Sequence, residues 1–401
     1  MYYLPAVPPH QLDGVVAAQS SICLLSADDN RLAYRGYDVV ELAQRGSFEE
    51  TAYLLLAGRL PRRDELNAFG TSLRARRKLP KSVQKLIRDT PSAADPMALL
   101  RTAVSALGLE PAGPDDVSGI PPAALDLVSQ MPTLVAAIHR SRRGEKPVTP
   151  RRGLASAANF LYMLSGAEPE RDLARAFDVA LSLRADNELN PSTFAARVAA
   201  ATRADVHGCI TAALAALAGP LHGGHALAVY RLLEEIGTLD RVDQVVAARI
   251  SGGKAFPAFG HPVYQGEDPR TTAMRRAASA AAEAGAAAEA GAAAEAGAAG
   301  ESSAASGEGA GGSRAWLTLA QTVEERARAA TGKFANVDFY LAPLYRAAGI
   351  PPELFTPVFA VARIPGWLAH VLEQQAQEGL IRPRAAYVGA ARQEYVSIRR
   401  R

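Results

Sequence analysis

The stretch "STFAARVAAATRADVHGCITAALAALAG", residues 192–219, carries apolar residues at three- and four-residue spacing, the pattern of helices that bury one face. The same spacing runs through "SFEETAYLLLAGRLP" (47–61), "LARAFDVALSLRA" (173–185) and "GWLAHVLEQQAQEG" (366–379). Strand signals are few. The best is "SSICLLSADDNRLAYRGY" (20–37), two extended runs around an Asp-Asp-Asn turn. The expected fold class is all-α with a small N-terminal β element.

With 401 residues and 48% hydrophobic content the chain can bury a sizeable core, and more than one domain is expected. Its 44 basic residues, 38 of them arginine, nearly balance 41 acidic ones and are spread without aromatic interleaving. That is not a nucleic-acid footprint. The opening "MYYLPAVPPHQL" has no cationic segment leading into an apolar one, and no uninterrupted apolar run approaches the roughly 20 residues that cross a bilayer. We expect a cytoplasmic protein with neither nucleic acid nor membrane as partner. Cys23 and Cys209, far apart and flanked by apolar residues, read as core residues rather than a disulfide framework or thiolate metal site.

One segment stands apart. Residues 281–298 repeat "AAEAGA" three times and run into "AGESSAASGEGAGGS". Alanine and glutamate favour helix while each glycine costs about 1 kcal/mol, so the segment, about 281–313, is expected to be a frayed helix or disordered loop outside the core. We read it as a tolerated insertion, with a partner-binding tail as the alternative.

Three places carry chemistry. In "AGPLHGGHALAVY" (218–230) a Pro/Gly turn places His222 at the mouth of an apolar helical run. There a helix dipole and nearby amides favour a neutral imidazole able to donate to a developing oxyanion. A turn-capping histidine fits the spacing equally, whereas a His222–His225 metal pair lacks further ligands nearby. "AFGHPVYQGEDPR" (258–270) sets His261 after an aromatic-glycine turn with Arg270 beyond it, a pairing suited to an anionic carbonyl substrate. In "FANVDFYLAPLY" (334–345) Asp338 sits between apolar neighbours. Desolvation there raises a carboxylate towards neutrality and suits a general base, with helix capping as the competing role. Arg363, embedded in "LFTPVFAVARIPGWLAHVLEQ" (354–374), needs an anionic partner, and "LIRPRAAYVG" (380–389) adds Arg382 and Arg384. Together these describe a pocket for a small di-acid and proton removal beside a carbonyl.

The chain resembles the citrate synthase family almost end to end, through "DGVVAAQSSICLLSADDNRLAYRGYD", "SFEETAYLLLAGRLP", "GPLHGG", "FGHPVY", "DPR", "NVDFY", "ELFTPVFAVARIPGW" and "IRPRAAYVG". The resemblance implies an all-helical homodimer with a two-domain subunit. The large domain would take residues 1–223 and 350–401, and the small one 224–349, insertion included. It implies condensation of acetyl-CoA with oxaloacetate to citrate and CoA, with no metal or other cofactor, the coenzyme A thioester being a substrate. Asp338 would match the base that takes the methyl proton, His222 the neutral donor to the enol, and His261 the group polarising the ketone. Arg270, Arg363 and Arg382 would match the carboxylate clamps, Arg382 entering the neighbouring subunit's site.

Departures accompany the matches. "RADNELNPSTF" (184–194) has Arg184 and Asn187 where the family has histidines, and Asn187, facing the oxoacid, can donate a hydrogen bond but carries no charge. Pro262 and Gln265 replace basic residues, His225-Ala226 follows "HGG", and Leu341 follows "NVDFY". Two alternatives follow: a 2-methylcitrate synthase using propionyl-CoA or a related condensing enzyme, and a weakly active or inactive paralogue serving as a structural or regulatory subunit. Retention of six catalytic and clamp positions argues against the second.

Overall fold

The computed structural model describes residues 15–113, 117–298, 311–385, 387–390 and 393–401, and the side chains of 292–298 lie outside the description. The opening segment read above and the run 299–310 fall outside it too.

The β element is a three-stranded antiparallel sheet in the order β1 (Cys23–Ser26), β2 (Arg31–Tyr34), β3 (Tyr37–Asp38). Cys23 pairs with Tyr34 and Ser26 with Arg31 around the expected turn. The two-residue β3, paired through Ala33 and Asp38, was not visible in the sequence.

Helices follow: α1 (Val39–Arg45), α2 (Phe48–Ala57), α3 (Arg63–Arg76), α4 (Lys81–Asp89), α5 (Pro96–Leu107), α6 (Pro122–Arg142), α7 (Ser156–Ser165) and α8 (Arg171–Leu183). Then come α9 (Pro191–Ala201), α10 (Val206–Leu217), α11 (His225–Ile236), α12 (Val242–Ser251), α13 (Thr271–Ala298), α14 (Ser313–Thr331), α15 (Leu341–Ala347) and α16 (Phe355–Ala376). The chain is thus all-α with a small sheet. Polar side chains cap several helices: Asp38, Ser47, Asp95, Asn190 and Asp205 each accept first-turn amides of the helix that follows, satisfying donors that have no partner inside the helix.

α16 is the spine of the core, packing on α2, α5, α6, α8, α9 and α10. The helical run Pro352–Ala376 is long and apolar enough to cross a membrane by length and composition, yet 94% of its most apolar window is buried inside the protein. Its apolarity is that of a core helix, and Arg363 and His370 within it are buried. Gly366 lets α16 press on the turn after α8, because a Cβ there would lie 2.3 Å from Ala185 O and 2.5 Å from Asp186 Oδ1.

The sheet braces this turn from the other side. Buried Tyr34 accepts the Asp186 amide through its hydroxyl at 3.1 Å and lies 3.0 Å from Asp186 O. The sheet also touches the loop before α13, where Tyr264 donates its hydroxyl to Arg31 O (3.3 Å) and Asn30 its amide to Glu267 O (3.0 Å).

The expectation that the alanine-rich insertion lies outside the core is corrected at its start. Ala281 and Ala282 are fully buried and Ala284 nearly so, because α13 runs on from the packed Met274–Ala278 turns and carries the first repeat against α15 and α14. Tertiary contact, not composition, decides where such a helix stops being core. Cys209 is buried and Cys23 half-buried, both as free thiols.

Candidate active site

Two segments are stitched together by backbone bonds: Gly260 N donates to Phe334 O (2.8 Å) and Asn336 N to Ala258 O (2.8 Å). The Asn336 side chain adds a bond to Gly260 O (2.9 Å) and accepts the Asp338 amide (3.0 Å). Ala258 takes a left-handed φ of 57° beside this bridge, a conformation that costs a non-glycine residue free energy and needs surrounding structure to hold it. This stitching brings His261, Arg270 and Asp338 to one cavity of about 560 Å³, whose other wall carries Arg184, Asn187, His222, Phe359 and Arg363.

His222 lies in the turn before α11, its amide bonded to Gly219 O (3.0 Å). Gly223 is required next to it, since a Cβ would sit 2.3 Å from Leu217 O. Burial first, then the positive charge of Arg363, lowers His222 to about 4, so the imidazole is neutral at pH 7. The neutrality read from the sequence is present, but its main cause is desolvation rather than the helix dipole. His222 Nε2 lies 2.8 Å from Ser192 Oγ, which accepts from Trp367 Nε1 (3.1 Å) and lies 2.7 Å from Asn190 Oδ1. The single hydroxyl proton sets the tautomer: given to His222, it leaves the ring proton on Nδ1; given to Asn190, it leaves that proton on Nε2.

His261 Nδ1 accepts the amides of Val263 (3.1 Å) and Tyr264 (3.2 Å), which leaves the ring proton on Nε2. Burial, then Arg270, lowers its pKa, so His261 too is a neutral donor.

Arg270 is buried and clamped by Asp268, Nε to Oδ1 at 2.9 Å and Nη2 to Oδ2 at 2.8 Å. Burial opposes the charge on both, but the pair wins, holding Asp268 below the ordinary carboxylate range and raising Arg270. Asp268 also accepts the amides of Arg270 (3.0 Å) and Val337 (3.3 Å). It was missed in the sequence, where an aspartate before proline reads as a turn residue.

Arg363 donates Nε to Arg184 O (2.8 Å), while its buried Nη1 has no partner. Burial lowers it to about 10. A buried guanidinium nitrogen without an acceptor is costly, and a ligand carboxylate is the group that would satisfy it. Asn187 Oδ1 is likewise buried and unpartnered.

Asp338 is not the isolated, desolvated carboxylate expected from its apolar neighbours. Its Oδ1 lies 3.1 Å from Arg184 Nη2, with side chains 19% and 5% exposed. Arg184 was noted in the sequence only as a departure, and its partner lies too far along the chain to be read there. Arg382 does not line this cavity; it is exposed after α16. Among the described residues no group of three or more His, Cys, Asp or Glu could hold a metal.

The family model for "Citrate synthase, C-terminal domain" matches residues 11–384. The chain is 36% identical to citrate synthase of Deinococcus radiodurans over 97% of this chain and 98% of the relative. It is also 36% identical to 2-methylcitrate synthase of Mycobacterium tuberculosis, over 94% of this chain and 90% of that one. The structure of citrate synthase from Thermoplasma acidophilum in ternary complex with carboxymethyl coenzyme A and oxaloacetate superposes with a TM-score of 0.83 at 29% identity, covering 97% of this chain and 98% of that chain.

Proposed function

The chain belongs to the citrate synthase family, enzymes that transfer acyl groups in a condensation, and we propose that this cavity joins the methyl carbon of acetyl-CoA to the ketone carbon of oxaloacetate. The observation that carries this reading is the convergence of Asp338, two neutral histidines and the unpartnered Arg363 Nη1 on one cavity. It pairs a carboxylate base with two neutral donors and a cationic seat for an anion.

Asp338 takes a methyl proton, the C–H electron pair becomes the carbon–carbon double bond of the enol, and the carbonyl π pair moves to the thioester oxygen. His222 donates to that oxygen through Nδ1–H, in the tautomer formed when the Ser192 hydroxyl turns its proton from Asn190 to Nε2. The enol carbon attacks the ketone, and His261 Nε2–H donates to the ketone oxygen as it gains charge. Water then hydrolyses the citryl-CoA thioester, releasing citrate and CoA. Arg363 and Arg270 favour carboxylates over neutral ligands, because planar guanidinium pairs with carboxylate through two bonds.

As part of the same proposal, the active unit is a homodimer in which Arg382 enters the site of the neighbouring subunit. Residues 224–349 form the smaller of two domains, bringing His261, Arg270 and Asp338 to the larger domain's His222, Asn187 and Arg363. A second reading, propionyl-CoA as acyl donor, is supported by the similarity to a 2-methylcitrate synthase.

Thiol release followed with acetyl-CoA and with propionyl-CoA, each with and without oxaloacetate, tests both. Release that needs oxaloacetate and is faster with acetyl-CoA supports the first reading; preference for propionyl-CoA supports the second; release with neither discards both.

A further inference from the structure

We propose that Arg184 is an exchangeable carboxylate-binding residue of the oxoacid site, held by Asp338 until a carboxylate of the substrate takes its place. This rests on reading Asp338 as the base.

The cavity holds four guanidiniums, and they are engaged differently. Arg270 is bound by both oxygens of Asp268, which two backbone amides fix in addition. Arg249 faces Glu235 at 3.3 Å and donates to Ala255 O. Arg363 keeps Nη1 buried and unpartnered. Arg184 meets one oxygen of a single carboxylate that is itself part-exposed, with the Tyr345 hydroxyl as its other polar neighbour. A doubly fixed, buried bidentate pair is the harder one to part, so Arg184 is the guanidinium that a competing carboxylate can win.

Its position suits the task. Arg184 and Arg363 both lie over the Phe359 ring, 4.1 and 4.8 Å from its centre, and Arg363 Nε is anchored on Arg184 O. One short dicarboxylate can therefore meet Arg363 Nη1 with one end and Arg184 with the other. When Arg184 turns to the ligand, Asp338 loses its partner and is free to take the methyl proton. Arg184 thus links oxoacid binding to the availability of the base, and restores a cation on the wall where Asn187 carries none.

The test uses the full-length protein and two readouts: deuterium entering the methyl group of acetyl-CoA in heavy water without oxoacid, and KM and kcat for condensation. In the exchange, a methyl proton passes to Asp338 and a solvent deuteron returns by the same path, so no co-reactant is needed. Arg184→Gln is expected to raise exchange at least ~10-fold over wild type and raise the KM for oxaloacetate ~10-fold or more. Arg184→Lys, which keeps the charge, should retain suppressed exchange and most of the affinity. Unchanged exchange and unchanged KM in Arg184→Gln overturn the proposal, as does a Lys variant indistinguishable from Gln. Should Arg184→Gln fail to fold, the Lys variant decides alone: exchange raised ~10-fold despite the retained charge overturns the proposal, and suppressed exchange upholds it. If Asp338→Asn condenses at the wild-type rate, it is the underlying assignment of the base that has failed.

Discussion

Within the cavity, residues of one type do different work: Arg270 is clamped by Asp268, Arg184 by Asp338, and Arg363 keeps one nitrogen unpartnered. Along α13, which begins one residue after Arg270, the hexapeptide "AAEAGA" is written three times. Its first copy buries Ala281, Ala282 and Ala284, whereas the alanines of its second copy at 287, 288 and 290 are exposed. In the cavity the partner of each polar atom decides what a residue does. On the helix, distance from the core decides, and the same sequence has two fates.

The largest effect should come from the cavity. Asp338→Asn keeps the shape of the side chain but cannot accept the methyl proton, and turnover should fall at least ~10²-fold with the fold intact. Near wild-type turnover, measured by thiol release on protein with an unchanged melting curve, would remove Asp338 from the base role.

Asp268→Asn should act differently, through stability as well as binding. It leaves buried Arg270 facing a neutral amide, and breaking one side of a buried ion pair costs about 3 kcal/mol or more. We expect a clear fall in the denaturant midpoint together with a raised KM for oxaloacetate. A variant as stable as wild type would mean that Arg270 finds another acceptor, and that the cavity is less atom-specific than described.

These two aspartates also mark how far the sequence could be read. Helical periodicity located α2, α8, α9, α10 and the C-terminal part of α16, and two extended runs around Asp-Asp-Asn located the hairpin, because each is a local pattern. His222, His261 and Arg363 were legible because an isolated polar group in apolar or Gly/Pro-rich surroundings is conspicuous. Asp268 was not, since its partner Arg270 lies two residues away in what reads as an ordinary turn. Ser192, which touches His222 across 30 residues, and Arg184, which meets Asp338 across the cavity, depend on packing that no local pattern encodes. α13 misled for the complementary reason: its composition is uniform, and only α14 and α15 distinguish one repeat from the next.

One substitution at equivalent positions of two repeats sharpens that contrast. A Cβ at Gly285 would lie 2.7 Å from Ser313 Oγ and 3.2 Å from Ala347 O, whereas at Gly291 nothing lies within 4 Å. Ser313 cannot easily yield, because its hydroxyl donates to Glu289 at 2.7 Å. Alanine for glycine in a helix gains about 1 kcal/mol, so Gly291→Ala should stabilise by up to about that amount. Gly285→Ala meets the clash and should destabilise by about 1 kcal/mol or more despite the same gain. Urea denaturation of both variants checks the sign, and equal effects would show that the repeats are not in different environments.

The smallest effect is expected beyond the second repeat, and the structure moves the boundary of what is dispensable. Removing everything from Ala281 would strip buried alanines and Glu289, whose carboxylate accepts the Ser313 amide and hydroxyl at the start of α14. It would also remove the Glu283–Arg314 pair. That exposed pair contributes little, but the buried alanines and the Glu289 contact do not fall in the same class. The cut should therefore begin after Gly291. Because Glu289 touches Ser313, the chain on either side of 292–310 comes close together, and a linker of about four Gly/Ser residues can close the gap at small entropic cost. This replacement should leave the denaturant midpoint and turnover within error of wild type, whereas replacing Ala281 to Gly312 should lower the midpoint measurably. Loss of activity or of self-association from the shorter replacement would give the repeat tail a function of its own and end its reading as a tolerated insertion.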